Sequence, residues 1–89
     1  MQRRDVTIRN PRGVQSRAAA KLVTLCTRFQ STITLAVNGR RANGRRLIAV
    51  LMLSATMGAQ VRIEASGPDE VKALQAVARL IGDGFGEGY

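Results

Sequence analysis

Ser31-Thr32-Ile33-Thr34-Leu35-Ala36-Val37-Asn38-Gly39-Arg40-Arg41-Ala42 is the stretch that decides the fold. Its first seven residues alternate between polar and apolar positions and are rich in β-branched side chains. They read as a strand with one buried face. Asn38-Gly39 follows at once. Both central residues of a type I′ turn need positive φ, and Asn-Gly supplies it. The chain therefore doubles back. The return strand, Arg40-Arg41-Ala42, is short and charged, which suits a sheet edge. Local chemistry alone fixes one antiparallel pair.

Upstream, Asp5-Val6-Thr7-Ile8-Arg9 alternates, with Val6 and Ile8 on one face, and predicts another strand. Asn10-Pro11-Arg12-Gly13 is a loop. A helix is expected from about Arg17 to Arg28, with Ser16 as its N-cap. Ala19, Leu22, Cys26 and Phe29 form its apolar stripe, with Val23 and Leu25 alongside. Cys26 on that stripe reads as a small core residue.

Downstream, Asn43-Gly44 leads into a run of seven apolar residues, Leu47 to Leu53. As a two-turn helix, that run puts Leu47, Val50, Leu51 and Ser54 on one face, with Ile48 and Met52 partly outside it. Met57-Gly58 marks a turn, and Val61, Ile63 and Ala65 alternate as a strand. Pro68 at a first helical position, with Asp69 and Glu70 in the first turn, starts a long helix. Val71, Leu74, Val77, Ala78 and Ile81 are its apolar stripe, and Gly82, Gly84 and Gly86 end it. A tail from about residue 84 to 89 is expected to fray.

The element order is thus β-α-β-β-α-β-α in a single domain spanning residues 1–89. An α+β architecture follows: a four-stranded antiparallel sheet with three helices on one face.

Composition narrows the chemistry. The 89 residues include no histidine and one cysteine, so the commonest general base and metal ligand is missing and no internal disulfide can form. No cofactor or metal is expected. The six acidic residues are scattered, and no serine has a base near it in sequence. An independent enzyme is therefore disfavoured. No apolar run approaches a membrane span and no signal-peptide core is present, so a cytoplasmic protein with no membrane partner is expected.

The net charge is +8. Residues 1–46 carry eleven Lys or Arg against one acid, Asp5, for a balance of +10; the remainder balances at −2. The first half is a candidate for acidic partners, phosphates or nucleic acid, or is simply a solvated basic surface. Aromatic content of 3% supplies few stacking platforms, which argues against nucleic acid.

Gly13-Val14-Gln15-Ser16-Arg17-Ala18-Ala19-Ala20 reads as the mouth of the first helix. A helix N-terminus offers unpaired N–H groups and partial positive charge. Ser16, Arg17, Arg12 and Ala18 are therefore anion-binding candidates. Gln15 just before the helix carries an amide with no titrating or nucleophilic atom. The apolar excess at residues 47–53, beside Arg17, Arg45 and Arg46, reads either as a docking surface or as a segment buried on most sides.

These residues, in this order, resemble the HPr family of histidine-containing phosphocarriers over nearly the whole chain. The family signature Gly-Leu/Met-His-x-Arg-Pro-Ala stands here as Gly13-Val14-Gln15-Ser16-Arg17-Ala18-Ala19. Ile48-Ala49-Val50-Leu51-Met52-Leu53, Ala65-Ser66-Gly67-Pro68-Asp69-Glu70 and the end through Gly84-Phe85 look most like the nitrogen-branch members, NPr. The resemblance implies an open-faced β-sandwich. In the family, the signature histidine accepts a phosphoryl group from an Enzyme I-type donor and passes it to IIA-type acceptors. By that match Gln15 replaces the histidine, Arg17 matches the phosphate-binding arginine and Ala18 replaces the proline. A serine that some members use for regulation falls at Arg46. The family's partner surface maps to Gln15, Arg17 and Ala20, and to Arg46, Leu47, Ile48 and Leu51.

The resemblance then implies a phosphotransferase-system protein that lacks the phosphorylatable histidine. It would act as a non-catalytic regulatory or partner-binding module, as family members with Gln at this position do. Its partners would be Enzyme I-like or IIA-like proteins, or a regulatory target. A non-covalent sensor of phosphorylated metabolites at the first helix mouth is the alternative, and a basic nucleic-acid-binding module ranks below it.

Overall fold

The computed structural model describes residues 1–86. Its elements run β1 (Gln2–Thr7), α1 (Ser16–Cys26), β2 (Thr32–Val37), β3 (Arg40–Asn43), α2 (Leu47–Met52), β4 (Gln60–Ser66) and α3 (Glu70–Gly82). A 3-10 turn, Gly84–Gly86, closes the order. The four strands form one antiparallel sheet in the order β1-β4-β2-β3. This is the expected α+β open-faced sandwich.

The hairpin is as its sequence dictates: Asn38 has φ of 51° and Gly39 has φ of 80°. Its register pairs Leu35 with Ala42 and Val37 with Arg40. Across β2 and β4, Ile33 meets Ala65 and Leu35 meets Ile63. Opposed residues of an antiparallel pair share a face. One face therefore carries Ile33, Leu35, Val37, Val61, Ile63 and Ala65, all buried. The helices cover it through Ala18, Ala19, Leu22 and Cys26 of α1, Val50 of α2 and Ala73, Leu74, Val77, Ala78 and Ile81 of α3. The other face carries Thr32, Thr34, Ala36, Arg62 and Glu64, none of them buried.

Several expectations need correction. The strand expected at residues 5–9 starts at Gln2, because β4 is long enough to pair it from Ala65 to Gln60. The first helix begins at Ser16, which is thus inside the helix, and its N-cap is Gln15 with no side-chain cap hydrogen bond. In α2 the inward positions are Val50 and the following Leu53, whereas Leu47 is 40% exposed and Ser54 is exposed. In α3, Ala73 takes the inward place expected of Val71, which is 50% exposed. The start of the expected tail is packed. Phe85 is buried, and Lys21 Nζ donates to its carbonyl oxygen at 2.8 Å. The rest of that expected tail, residues 87–89, lies outside the described residues.

Candidate functional site

The loop before α1 is built by short-range bonds. Gly13 N–H donates to Asn10 O at 3.0 Å, closing a turn with Asn first and Gly last. Asn10 Nδ2 donates to Gly13 O at 2.9 Å, so the buried Asn10 brackets the turn from both sides. Gly13 has φ of 64°, and a Cβ there would sit 2.9 Å from Thr56 Cα and press on Ala55 O. Only glycine fits. Val14 N–H then donates to Ala55 O at 2.9 Å. That bond ties the mouth of α1 to the segment following α2, and the two helices pack against each other.

Gln15 follows with φ of −98° and ψ of −173°, exposed at the N-cap. Its carbonyl accepts the N–H of Ala19 at 2.8 Å, the first bond of the helix. Ser16, Arg17 and Ala20 are exposed beside it, while Ala18 is buried. Ala18 can therefore meet a ligand only through its N–H. Arg12 is exposed on the loop, and both Arg12 and Arg17 are engaged in interactions of their own. Arg17 and Ala20 also line a groove of about 490 Å³ shared with Leu25 and with Leu80 of α3.

On α2, Arg46 is the N-cap, and its carbonyl accepts the N–H of Val50 at 3.0 Å. Ile48 is 69% exposed, with Leu47 exposed beside it and Leu51 half-buried. Met52, at 65% exposure, joins Ile48 on the open side, so the apolar surface is larger than the residues expected to dock. The run is thus buried along one side only. Arg45 is held away from this surface, its guanidinium donating to Phe29 O. Phe85 is buried and Phe29 half-buried, so neither offers an open stacking face.

One further anchor was beyond sequence reasoning. Asp69 accepts from Ser31 Oγ at 2.5 Å, from Ser31 N–H at 2.9 Å and from Gln30 N–H at 3.0 Å. The Ser31 hydroxyl, followed by the two N–H donors, holds the Asp69 carboxyl below its ordinary range. Cys26 is fully buried, and burial pushes its thiol up to about 11, against the opposing charge of Arg45. An inert thiol results. Among the described residues, no group of three or more His, Cys, Asp or Glu could hold a metal ion, and no helix is long and apolar enough to cross a membrane.

The family model described as "PTS HPr component phosphorylation site" matches residues 2–83. Phosphocarrier protein HPr of Cupriavidus necator is 42% identical over 88 residues, covering 99% of each chain. Phosphocarrier protein NPr of Proteus mirabilis is 44% identical over 87 residues, covering 97% of each. Among solved structures, HPr-C-His from Thermoanaerobacter tengcongensis superposes with a TM-score of 0.94 at 29% identity, over the whole of both chains. Sequence, strand order and helix placement agree, and the chain belongs to the HPr family of phosphotransferase-system phosphocarriers.

Proposed function

We propose that this HPr-family chain recognises phosphotransferase-system proteins without carrying a phosphoryl group itself. One observation carries the reading: the chain has no histidine, and the exposed residue at the N-cap of α1 is Gln15. In this reading Gln15 occupies the family's phosphoacceptor position. Imidazole has a nucleophilic ring nitrogen at neutral pH; the amide nitrogen of Gln is conjugated with its carbonyl and has no free lone pair to attack phosphorus. What remains is recognition. Gln15, Arg17 and Ala20 on α1, with Arg46, Leu47, Ile48 and Leu51 on α2, form the docking face for Enzyme I-like or IIA-like partners or a regulatory target. A cytoplasmic setting goes with that class of partner.

The deciding experiment incubates the chain with an Enzyme I-type donor and its phosphodonor, then measures intact mass. No acid-labile gain of one phosphoryl group is expected; such a gain overturns the reading. Partner capture tests the other half. Ile48→Glu removes an apolar anchor, and burying an isoleucine is worth roughly 1.5–3 kcal/mol. Capture should weaken by about tenfold or more, and unchanged capture excludes the α2 face.

The bare N-cap favours a second reading. No side chain caps α1 among the described residues, and Arg12 and Arg17 flank its mouth, a setting that favours a small anion. Calorimetric titration of sugar phosphates into the wild type and Arg17→Ala separates it: equal heats from both end that reading.

A further inference from the structure

Charges on the open face of the sheet are matched. Arg62 lies 3.1 Å from Asp5, and Glu64 takes Arg3 at 3.4 Å and Arg41 at 2.9 Å. Arg4 stands on the other face. It is directly opposite Ile63, and Gln2 is opposite Ala65, so both sit on the side that the helices cover. Arg4 is exposed there, on the edge strand. Among the described residues no acid pairs with Arg4, Arg9 or Arg79.

These three arginines line one groove of about 720 Å³ between β1 and α3. Gln75 and Thr7 also line it. Gly82 leaves its wall bare: a Cβ there would meet no atom within 4 Å. The one carboxylate in the lining, Asp5, is engaged by Arg62. Arg79 has a structural reason for its charge, since it lies in the last turn of α3 against the helix dipole. Arg4 and Arg9 have no such reason.

We propose that this groove binds an extended anion carrying two or more phosphoryl groups. Arg4 and Arg9 hold it from the strand side and Arg79 from the helix side. Guanidinium forks match phosphoryl oxygens two at a time. Arg4 lies within β1 and Arg9 two residues beyond its end, so the strand side of the groove offers two separate cationic positions. The groove shares no residue with the mouth of α1, and the inference goes beyond the partner-docking reading without depending on it.

The test is calorimetric titration of tripolyphosphate into the full chain at physiological salt, with variants that separate a site from diffuse charge. One saturable site is expected. Arg4→Gln and Arg79→Gln should each weaken it by about tenfold or more. Arg28→Gln removes the same charge outside the groove and should change affinity by less than about twofold. Gly82→Met fills the groove without altering charge and should also weaken binding. Equal losses from Arg28→Gln and Arg79→Gln, or unchanged binding by Gly82→Met, overturn the proposal, as does a titration without saturable heat. Citrate binding as tightly as tripolyphosphate overturns the phosphoryl class. ATP binding more tightly than tripolyphosphate supports the site with a nucleotide as the source; equal affinity supports it with the phosphoryl chain alone recognised.

Discussion

In the proposed reading, a single side chain at Gln15 separates recognition from transfer. The backbone around it is intact: an exposed N-cap, a helix starting at once, a turn pinned by Asn10. Restoring the ring should restore the chemistry. Gln15→His is expected to gain one acid-labile phosphoryl group from an Enzyme I-type donor, read by intact mass before and after mild acid. No uptake would locate the defect elsewhere, with Ala18 the first place to look. Gly13 sets the same turn from the other side. Gly13→Ala places a methyl group against Ala55 O and Thr56 Cα at φ of 64°. It should cost more than about 1–2 kcal/mol in chemical denaturation, from the left-handed backbone alone. Phe85 also holds a left-handed φ, 59°, and does so because its ring is buried. Phe85→Ala should cost about 3–5 kcal/mol, since a large core side chain is lost.

At the scale of elements, the start of α3 is clamped to the start of β2 by the three bonds into the Asp69 carboxylate. Gly67 packs close to make this possible: a Cβ there would lie 2.7 Å from Ser31 Cα. Asp69→Asn keeps the shape but weakens the acceptors, and should lower Tm near neutral pH. The clamp also shows what the sequence could not convey. Ser31 and Asp69 are 38 residues apart, and nothing near either names the other. The hairpin, in contrast, was legible because its turn chemistry sits in two adjacent residues. The α1 and α3 stripes were legible over most of their length, because eleven and thirteen residues span enough turns to fix a phase. Six residues of α2 do not, so Leu47 was assigned inward although it faces water. The candidate docking face was legible as an apolar excess that left Ile48 and Met52 partly outside the buried face.

At the scale of the whole molecule, acid should unfold this protein from a known corner. Asp69 is held below its ordinary value chiefly by the Ser31 hydroxyl. Glu70 is held below its own by the Met1 ammonium 2.9 Å away and then by the Gly67 N–H. A depressed carboxyl stabilises the fold above its ordinary value and loses that contribution as pH falls through the lowered one. Tm should therefore hold above about pH 4.5 and drop below it. Asp69→Asn should flatten that drop, and an unchanged slope would place the acid sensitivity elsewhere.

Gly44 is buried, and a Cβ on it would come within 2.6 Å of Cys26 Sγ. The lid over the thiol is thus bare main chain from the hairpin's exit. On that side a sulfhydryl reagent meets backbone rather than a side chain that can swing aside, so its access there depends on opening between α1 and that exit. Labelling of Cys26 then times breathing of the folded state. A ligand that binds only the closed form should slow it in proportion to its occupancy.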